Sequence, residues 1–237
     1  MDPFKTGIRA IDETAGGIPP ASNLLLLAPP FTGADRLAYQ LTHPGKNDYT
    51  IVISADGDAL DVKDSFGLSR EDSHRLWVVD CITRTMEPTA TDSDQVKYVA
   101  SPVDLTGMGI KVTRILEEIK EIEAAAGTGE VPRVRICVNS LSSFLIYSKL
   151  EAIYRFFHIL SARVRRMNGV AVYLLNPAAV DEKTISTIEQ LMNGVIRISE
   201  EDGGDGVRTL DLRTKGGVVV RDVRYRILGN ALVVIEA

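Results

Sequence analysis

The sequence predicts an α/β fold: a mainly parallel sheet covered by helices on both faces, with an antiparallel β extension towards the C-terminal end. Three observations predict it. Continuously apolar runs of strand length alternate with helical periodicities through the first two thirds of the chain, the pattern of strands buried on both faces. Two of the helical segments, 110–126 and 149–167, are long and one-sided. The last third changes to short strands between Gly/Asp-rich turns.

The first strand is 23–28, apolar from Leu24 to Leu27, and a Pro/Gly loop breaks the extended run after it. Residues 35–42 then read as a short helix with Leu37, Ala38 and Leu41 on one face. The next strand is 49–54, followed by a helix over Ala59–Phe66 for which Asp58 is a candidate N-cap, and by a third strand, 75–80, containing Trp77. Residues 83–106 are polar without clear periodicity and are expected to run as a surface loop. In 110–126, Val112, Ile115, Leu116, Ile119 and Ile122 recur at helical spacing, and Gly127 and Gly129 stop the helix. Arg133–Asn139 reads as a buried strand, 149–167 as the second long helix stopped by Asn168-Gly169, and Val170–Leu175 as another apolar strand. Short strands follow at 195–199, 209–213, 218–223 and 232–235, with turns at Gly203-Gly204-Asp205-Gly206 and Lys215-Gly216-Gly217. No internal repeat or linker divides the chain, so one domain over 1–237 is expected.

A chain of 237 residues with 45% hydrophobic content can bury a sizeable core. Its formal charge of -5 lacks the basic excess that gives nonspecific affinity for nucleic-acid phosphates. Cys81 and Cys137 sit in or beside apolar runs without CxxC spacing and read as reduced core cysteines. Residues 1–7 are polar, with Asp2 and Lys5, and no apolar run approaches the ~20 residues of a membrane span. A cytoplasmic protein without membrane contact is expected.

The loop after the first strand carries the most information about function. It reads Ala28-Pro29-Pro30-Phe31-Thr32-Gly33-Ala34-Asp35, in the place where a phosphate-binding GxxxxGK[ST] loop would follow a strand and open a helix. One glycine of the pattern remains at Gly33. Ala34 stands where the phosphate lysine belongs, and Asp35 where the magnesium-binding hydroxyl belongs.

Further residues carry a family resemblance. Thr6-Gly7-Ile8-Arg9-Ala10-Ile11-Asp12-Glu13, then Gly16-Gly17-Ile18-Pro19 and the Leu24 strand, resembles the start of KaiC-type and RadA-type members of the RecA superfamily. In those proteins a TGIxxLDxxxGGGIPxG segment leads into the P-loop. Val134 to Ser140 followed by Leu141-Ser142 is similar to the family's hhhhDSLS Walker B strand, and Leu174-Leu175-Asn176 to its strand ending in a polar sensor residue. The β-rich end after Gly194-Val195-Ile196 resembles the family's C-terminal sheet extension. The resemblance spans nearly the whole chain and implies a RecA-like P-loop fold from an archaeal source.

Carried over residue by residue, the resemblance implies an altered nucleotide site. Ala34 brings no ammonium to the phosphates, and Pro29-Pro30 removes backbone donors from the cradle. The Walker B aspartate corresponds to Asn139, which cannot offset metal charge, and the Glu-Glu pair that activates water corresponds to Asp56-Gly57. Asp56 keeps one carboxylate, one methylene shorter. Ala28, Thr32, Gly33 and Asn176 complete the degenerate set. Asp35, in the first turn of its helix, is expected to accept from the free amides that a phosphate would otherwise occupy. No catalytic residue, metal or cofactor is therefore expected, and a regulatory or assembly protein acting through protein contacts follows, its partner being itself or an active RecA/KaiC paralogue. Two alternatives stay open: weak ATP or ADP binding by a non-standard loop with little hydrolysis, and a recombination accessory that binds single-stranded DNA.

Other clusters read more plainly. Asp56-Gly57-Asp58 with Asp61 and Asp64 lacks the spacing of a calcium loop, because Leu60 stands at its fifth position. His158, between Phe157 and Ile159, is expected to be partly buried. Arg155, Arg163 and Arg166 can share one helix face, which could meet nucleic acid or an acidic partner; with the acidic balance of the chain, a solvated helix face or a subunit contact is the reading that fits better.

Overall fold

The structure is a computed structural model that describes residues 2–127, 129, 131–200, 206–229 and 231–235. The expected turn at Gly203-Gly204-Asp205-Gly206 lies outside the described residues except for Gly206. In chain order the elements are α1 (Arg9–Thr14), β1 (Ser22–Leu27), α2 (Ala34–Thr42), β2 (Asp48–Ser54), α3 (Ala59–Phe66), β3 (Leu76–Asp80), α4 (Thr83–Met86), β4 (Val96–Tyr98), α5 (Leu105–Ala126), β5 (Arg133–Asn139), α6 (Leu141–Tyr147), α7 (Leu150–Arg166), β6 (Val170–Leu175), α8 (Glu182–Glu189), β7 (Gly194–Glu200), β8 (Arg208–Thr214), β9 (Val219–Leu228) and β10 (Ala231–Val234). The strands form one sheet in the order β10-β9-β8-β7-β1-β6-β5-β2-β3-β4. From β7 through β4 neighbouring strands run parallel, and β7 to β10 form the antiparallel group at one end.

The apolar runs explain why these strands are central. All six residues of β1 are buried, and their alternation sends Leu24 and Leu26 to one face of the sheet and Leu25 and Leu27 to the other. The first face packs α1, α2, α3 and the inner side of the antiparallel strands, including Leu210, Leu212 and Tyr225. The second packs α5, α6, α7 and α8 through Val112, Ile115, Phe144, Phe157 and Ile188. Cys81 and Cys137 are free and buried in these two layers, and burial pushes the Cys137 thiol up to about 12. Asp58 caps α3 by accepting from the amides of Leu60 and Asp61. No helix among the described residues is long and apolar enough to cross a membrane.

The segment 83–106 is not simply a surface loop. It holds α4 and the parallel edge strand β4, and its last two residues begin α5, which Asp104 caps by accepting from the Gly107 amide at 2.8 Å. Asp92 ties the segment down, accepting from the Tyr98 amide and from Lys111 Nζ. Burial alone would raise the Asp92 carboxyl, but these bonds outweigh it and hold the group below the usual carboxylate range. His158, expected to be partly buried, is exposed on α7 with its ring stacked on Tyr154.

A buried ion pair locks the N-terminal segment to the sheet. Arg135 in β5 is 2% exposed and forks onto Asp48 of β2 at 2.8 and 2.6 Å, while its other nitrogen donates to the carbonyls of Lys5 and Leu41. Arg133 shares Asp48 at 3.0 Å and donates to the carbonyls of Asp2 and Pro3. Both guanidinium groups lie over the ring of Phe4, at 4.1 Å for Arg133 and 5.2 Å for Arg135. This clamp sets the path of the chain into α1 and β1.

Candidate functional site

In an open α/β sheet, the carboxyl ends of parallel strands leave a crevice where the connections diverge to opposite sides. Here β1, β2, β5 and β6 end together, and the turns that follow them line a cleft of ≈ 640 Å³. Ala28, Gly33, Ala34 and Asp35 enter it from the loop between β1 and α2, Asp56 from the turn after β2, Asn139 from the end of β5 and Asn176 from the end of β6. Residues from four separate parts of the chain therefore meet in one place.

Thr32 is the exception. It is buried, its hydroxyl turned back to donate to the Pro29 carbonyl at 2.7 Å, and it does not line the cleft. Outside the loop, the Tyr225 hydroxyl of β9 donates to the Thr32 carbonyl, Arg208 of β8 donates to the Phe31 carbonyl at 2.8 Å, and Ile227 packs against Gly33. Gly33 has a left-handed backbone (φ 69°), and an added Cβ would stand 2.5 Å from Ile227 Cγ1, so no other residue fits without displacement. The antiparallel strands thus hold the loop from behind.

Asp35 does not bend over the loop amides as expected. Among the described residues no amide of the loop donates to its carboxylate, and Arg36 Nε is 3.8 Å away. The remaining polar groups pair with one another. Asn139 Nδ2 donates to the Tyr39 hydroxyl at 2.8 Å, and burial raises that phenol above its ordinary range, so the pair is neutral. Ser143 donates a short hydrogen bond to Asp56, and its oxygen lies 3.3 Å from that of Ser140. Ser142 accepts from the Asn176 amide at 2.9 Å, and the Asn176 side chain accepts from the Ala178 amide, capping a single turn over Pro177–Ala179. The peptide between Asn139 and Ser140 is cis.

Among the described residues the lining carries three aspartates, Asp35, Asp56 and Asp61, and no lysine or arginine. Such a surface can accept hydrogen bonds and favours cations; it brings no cationic side chain to a phosphate. Ser140, Ser143, Tyr39 and the exposed Phe31 and Ile146 at the rim were not singled out from sequence. The run Ser140-Leu141-Ser142-Ser143 was the available signal, since closely spaced hydroxyls just beyond a buried strand gather at its carboxyl end. Among the described residues no group of three His, Cys, Asp or Glu side chains could hold a metal ion.

Asn139 is a supporting residue as well as a cleft residue. Asn139→Ala should cost about 1–3 kcal/mol by leaving the Tyr39 hydroxyl buried without its donor. Adding Tyr39→Phe should recover part of that loss in a urea titration; no recovery would show that the hydroxyl pairs elsewhere.

A layered α/β sheet with a loop and helix opening from its central strand, and polar residues collected at the strand ends, defines a KaiC-like, RecA-type fold. Two solved structures share it. One is the uncharacterized protein PH0321 from Pyrococcus horikoshii, crystallised in complex with an unknown peptide, at 17% identity over 98% of each chain with a TM-score of 0.71. The other is the KaiC-like protein PH0186 from Pyrococcus horikoshii OT3, at 18% identity over 99% of each chain with a TM-score of 0.68. The chain itself belongs to DUF7504, a family of unknown function, whose family model matches residues 21–198. No curated protein matches it.

Proposed function

We propose that this protein is a non-catalytic member of the KaiC/RecA fold, a pseudo-ATPase that works as a regulatory or assembly protein through contacts with other proteins. The observation that carries this reading is the cleft itself, with three aspartates and no cation among its described residues, and two prolines where a phosphate cradle needs amides. A lysine ~4 Å from a phosphate oxygen is worth about 4 kcal/mol at an effective dielectric near 20, and an aspartate in the neighbouring position reverses that sign. The crystallisation of PH0321 with a peptide supports protein recognition by a chain of this shape.

Isothermal titration with ATP, with and without magnesium, tests the reading. The expected result is no binding tighter than about 100 μM, which corresponds to roughly -5.5 kcal/mol. Tighter binding overturns it in favour of a second reading, a nucleotide-binding protein with a non-standard loop. That second reading is favoured by one observation: the cleft is open and large rather than filled by its own side chains.

A further inference from the structure

Helices α5 and α7 lie side by side on one face of the sheet and touch where Gly109 faces Phe156 and Thr113 meets Arg163. Over their outer surface runs a groove in two adjoining stretches of ≈ 820 and ≈ 620 Å³, both lined by Thr113, Glu117, Ile159 and Arg163. Gly109 opens its upper part opposite Phe156. From Gly109 to Lys120 the groove follows three turns of α5, about 16 Å at 1.5 Å per residue.

The floor and the rim differ in character. Ile110, Ile159 and Val131 are 60, 63 and 67% exposed and leave aliphatic surface uncovered along the two stretches. The rim is basic: among the described residues Arg114, Lys120, Arg155, Arg163 and Arg166 line the two stretches against a single acid, Glu117, in a chain whose formal charge is -5. Arg163 donates to Thr113 across the groove at 2.6 Å, and Arg114 pairs with Glu118. Among the described residues Arg155, Arg166 and Lys120 have no side-chain partner. The three arginines noted on one helix face in the sequence thus all border this groove.

We propose that the groove along α5 and α7 docks an acidic amphipathic helix of a partner protein, about three turns long. Apolar residues at i, i+3, i+4 and i+7 would cover Ile110, Phe156 and Ile159, and carboxylates on its flanks would meet Arg155, Arg163 and Arg166. A basic rim alone would also suit a phosphate backbone. The aliphatic floor decides for the helix, because nucleic acid held at the rim leaves that floor wet. The proposal rests on the reading of the protein as a binding module and adds to it a surface and a partner chemistry.

The test uses a fluorescein-labelled synthetic 18-residue helix with leucines on one face and glutamates on the other, a second with lysines replacing the glutamates, and a labelled single-stranded oligonucleotide. Fluorescence anisotropy is read on the native chain, on Arg155→Glu/Arg166→Glu, and on Gly109→Leu, which fills the groove where an added Cβ makes ordinary contact with Phe156 at 3.6 Å. Circular dichroism confirms that both variants fold. Saturable binding of the glutamate helix, at least tenfold weaker to each variant and at least tenfold stronger than that of the lysine helix, supports the proposal. Absence of binding, equal binding to native and variant chains, or binding of the oligonucleotide alone overturns it. Titrating ATP on the same samples separates the two readings, because ATP binding would sink the pseudo-ATPase reading and leave the groove result as measured.

Discussion

Replacing Ala34 by Lys and Asp35 by Thr in one chain is expected to raise the affinity for magnesium-ATP by about a hundredfold. Both residues face the cleft at the start of α2, so the double change puts an ammonium and a hydroxyl where an alanine and a carboxylate now stand. Removing the carboxylate lifts a repulsion of about 4 kcal/mol at ~4 Å and an effective dielectric near 20, and the lysine adds an attraction of the same order. Ordering a long side chain and stripping water from its charge take back more than half of the sum. About 3 kcal/mol remains, which is two decades. Calorimetry on the double variant measures it. If affinity does not move, Pro29 and Pro30 exclude the phosphate through missing amides, and the charge argument fails.

The second large effect concerns stability. Asp48→Ala is expected to destabilise the protein by about 3–5 kcal/mol, because it leaves Arg135 almost fully buried without its carboxylate and takes the shared partner from Arg133. Burial already pushes the Arg135 guanidinium below its usual range against the support of Asp48. For a chain of this size the melting temperature should fall by about 6–20 °C. Combining it with Arg135→Met should restore much of the loss, since the unpaired charge is then gone. A double variant no more stable than Asp48→Ala would mean that the bonds from Arg135 to the Lys5 and Leu41 carbonyls, and not the charge pair, carry the clamp.

The central strands were legible because each is apolar along its whole length, as Leu24 to Leu27 illustrates, and burial on both faces requires that. Strand β4 was hidden for the opposite reason. It is three residues long, its Lys97 buries an aliphatic stem while its ammonium meets Glu118 at 3.0 Å, and it is itself the edge strand, paired with a strand 18 residues earlier. The start of α5 was obscured by Gly107 and Gly109, which lower helix propensity; Asp104 and the packing of Met108 override them. Helix α6 hid in the serine-rich stretch after β5 that also supplies Ser142 and Ser143 to the cleft.

In the candidate site, sequence order foretold which residues would gather, because parallel strands end at one edge; only Thr32 turned away. What it could not foretell was pairing at a distance. Nothing local relates Asn139 to Tyr39, Asp56 to Ser143 or Asp48 to Arg135, separated by 100, 87 and 87 residues. The groove was half legible: the arginines on α7 and the helix 110–126 were visible, but not that the two helices face each other across a channel.

The grip of β8 and β9 on the loop has a consequence for how information could pass through this molecule. Tyr225, Arg208 and Ile227 set the loop's shape through contacts made within the fold itself. An ordering that arrives with a ligand is a message, whereas a shape held by the fold's own contacts carries none. On the proposed reading, this part of the sheet behaves as a constant rather than a switch, and the protein's output would follow how much of it and of its partner the cell holds.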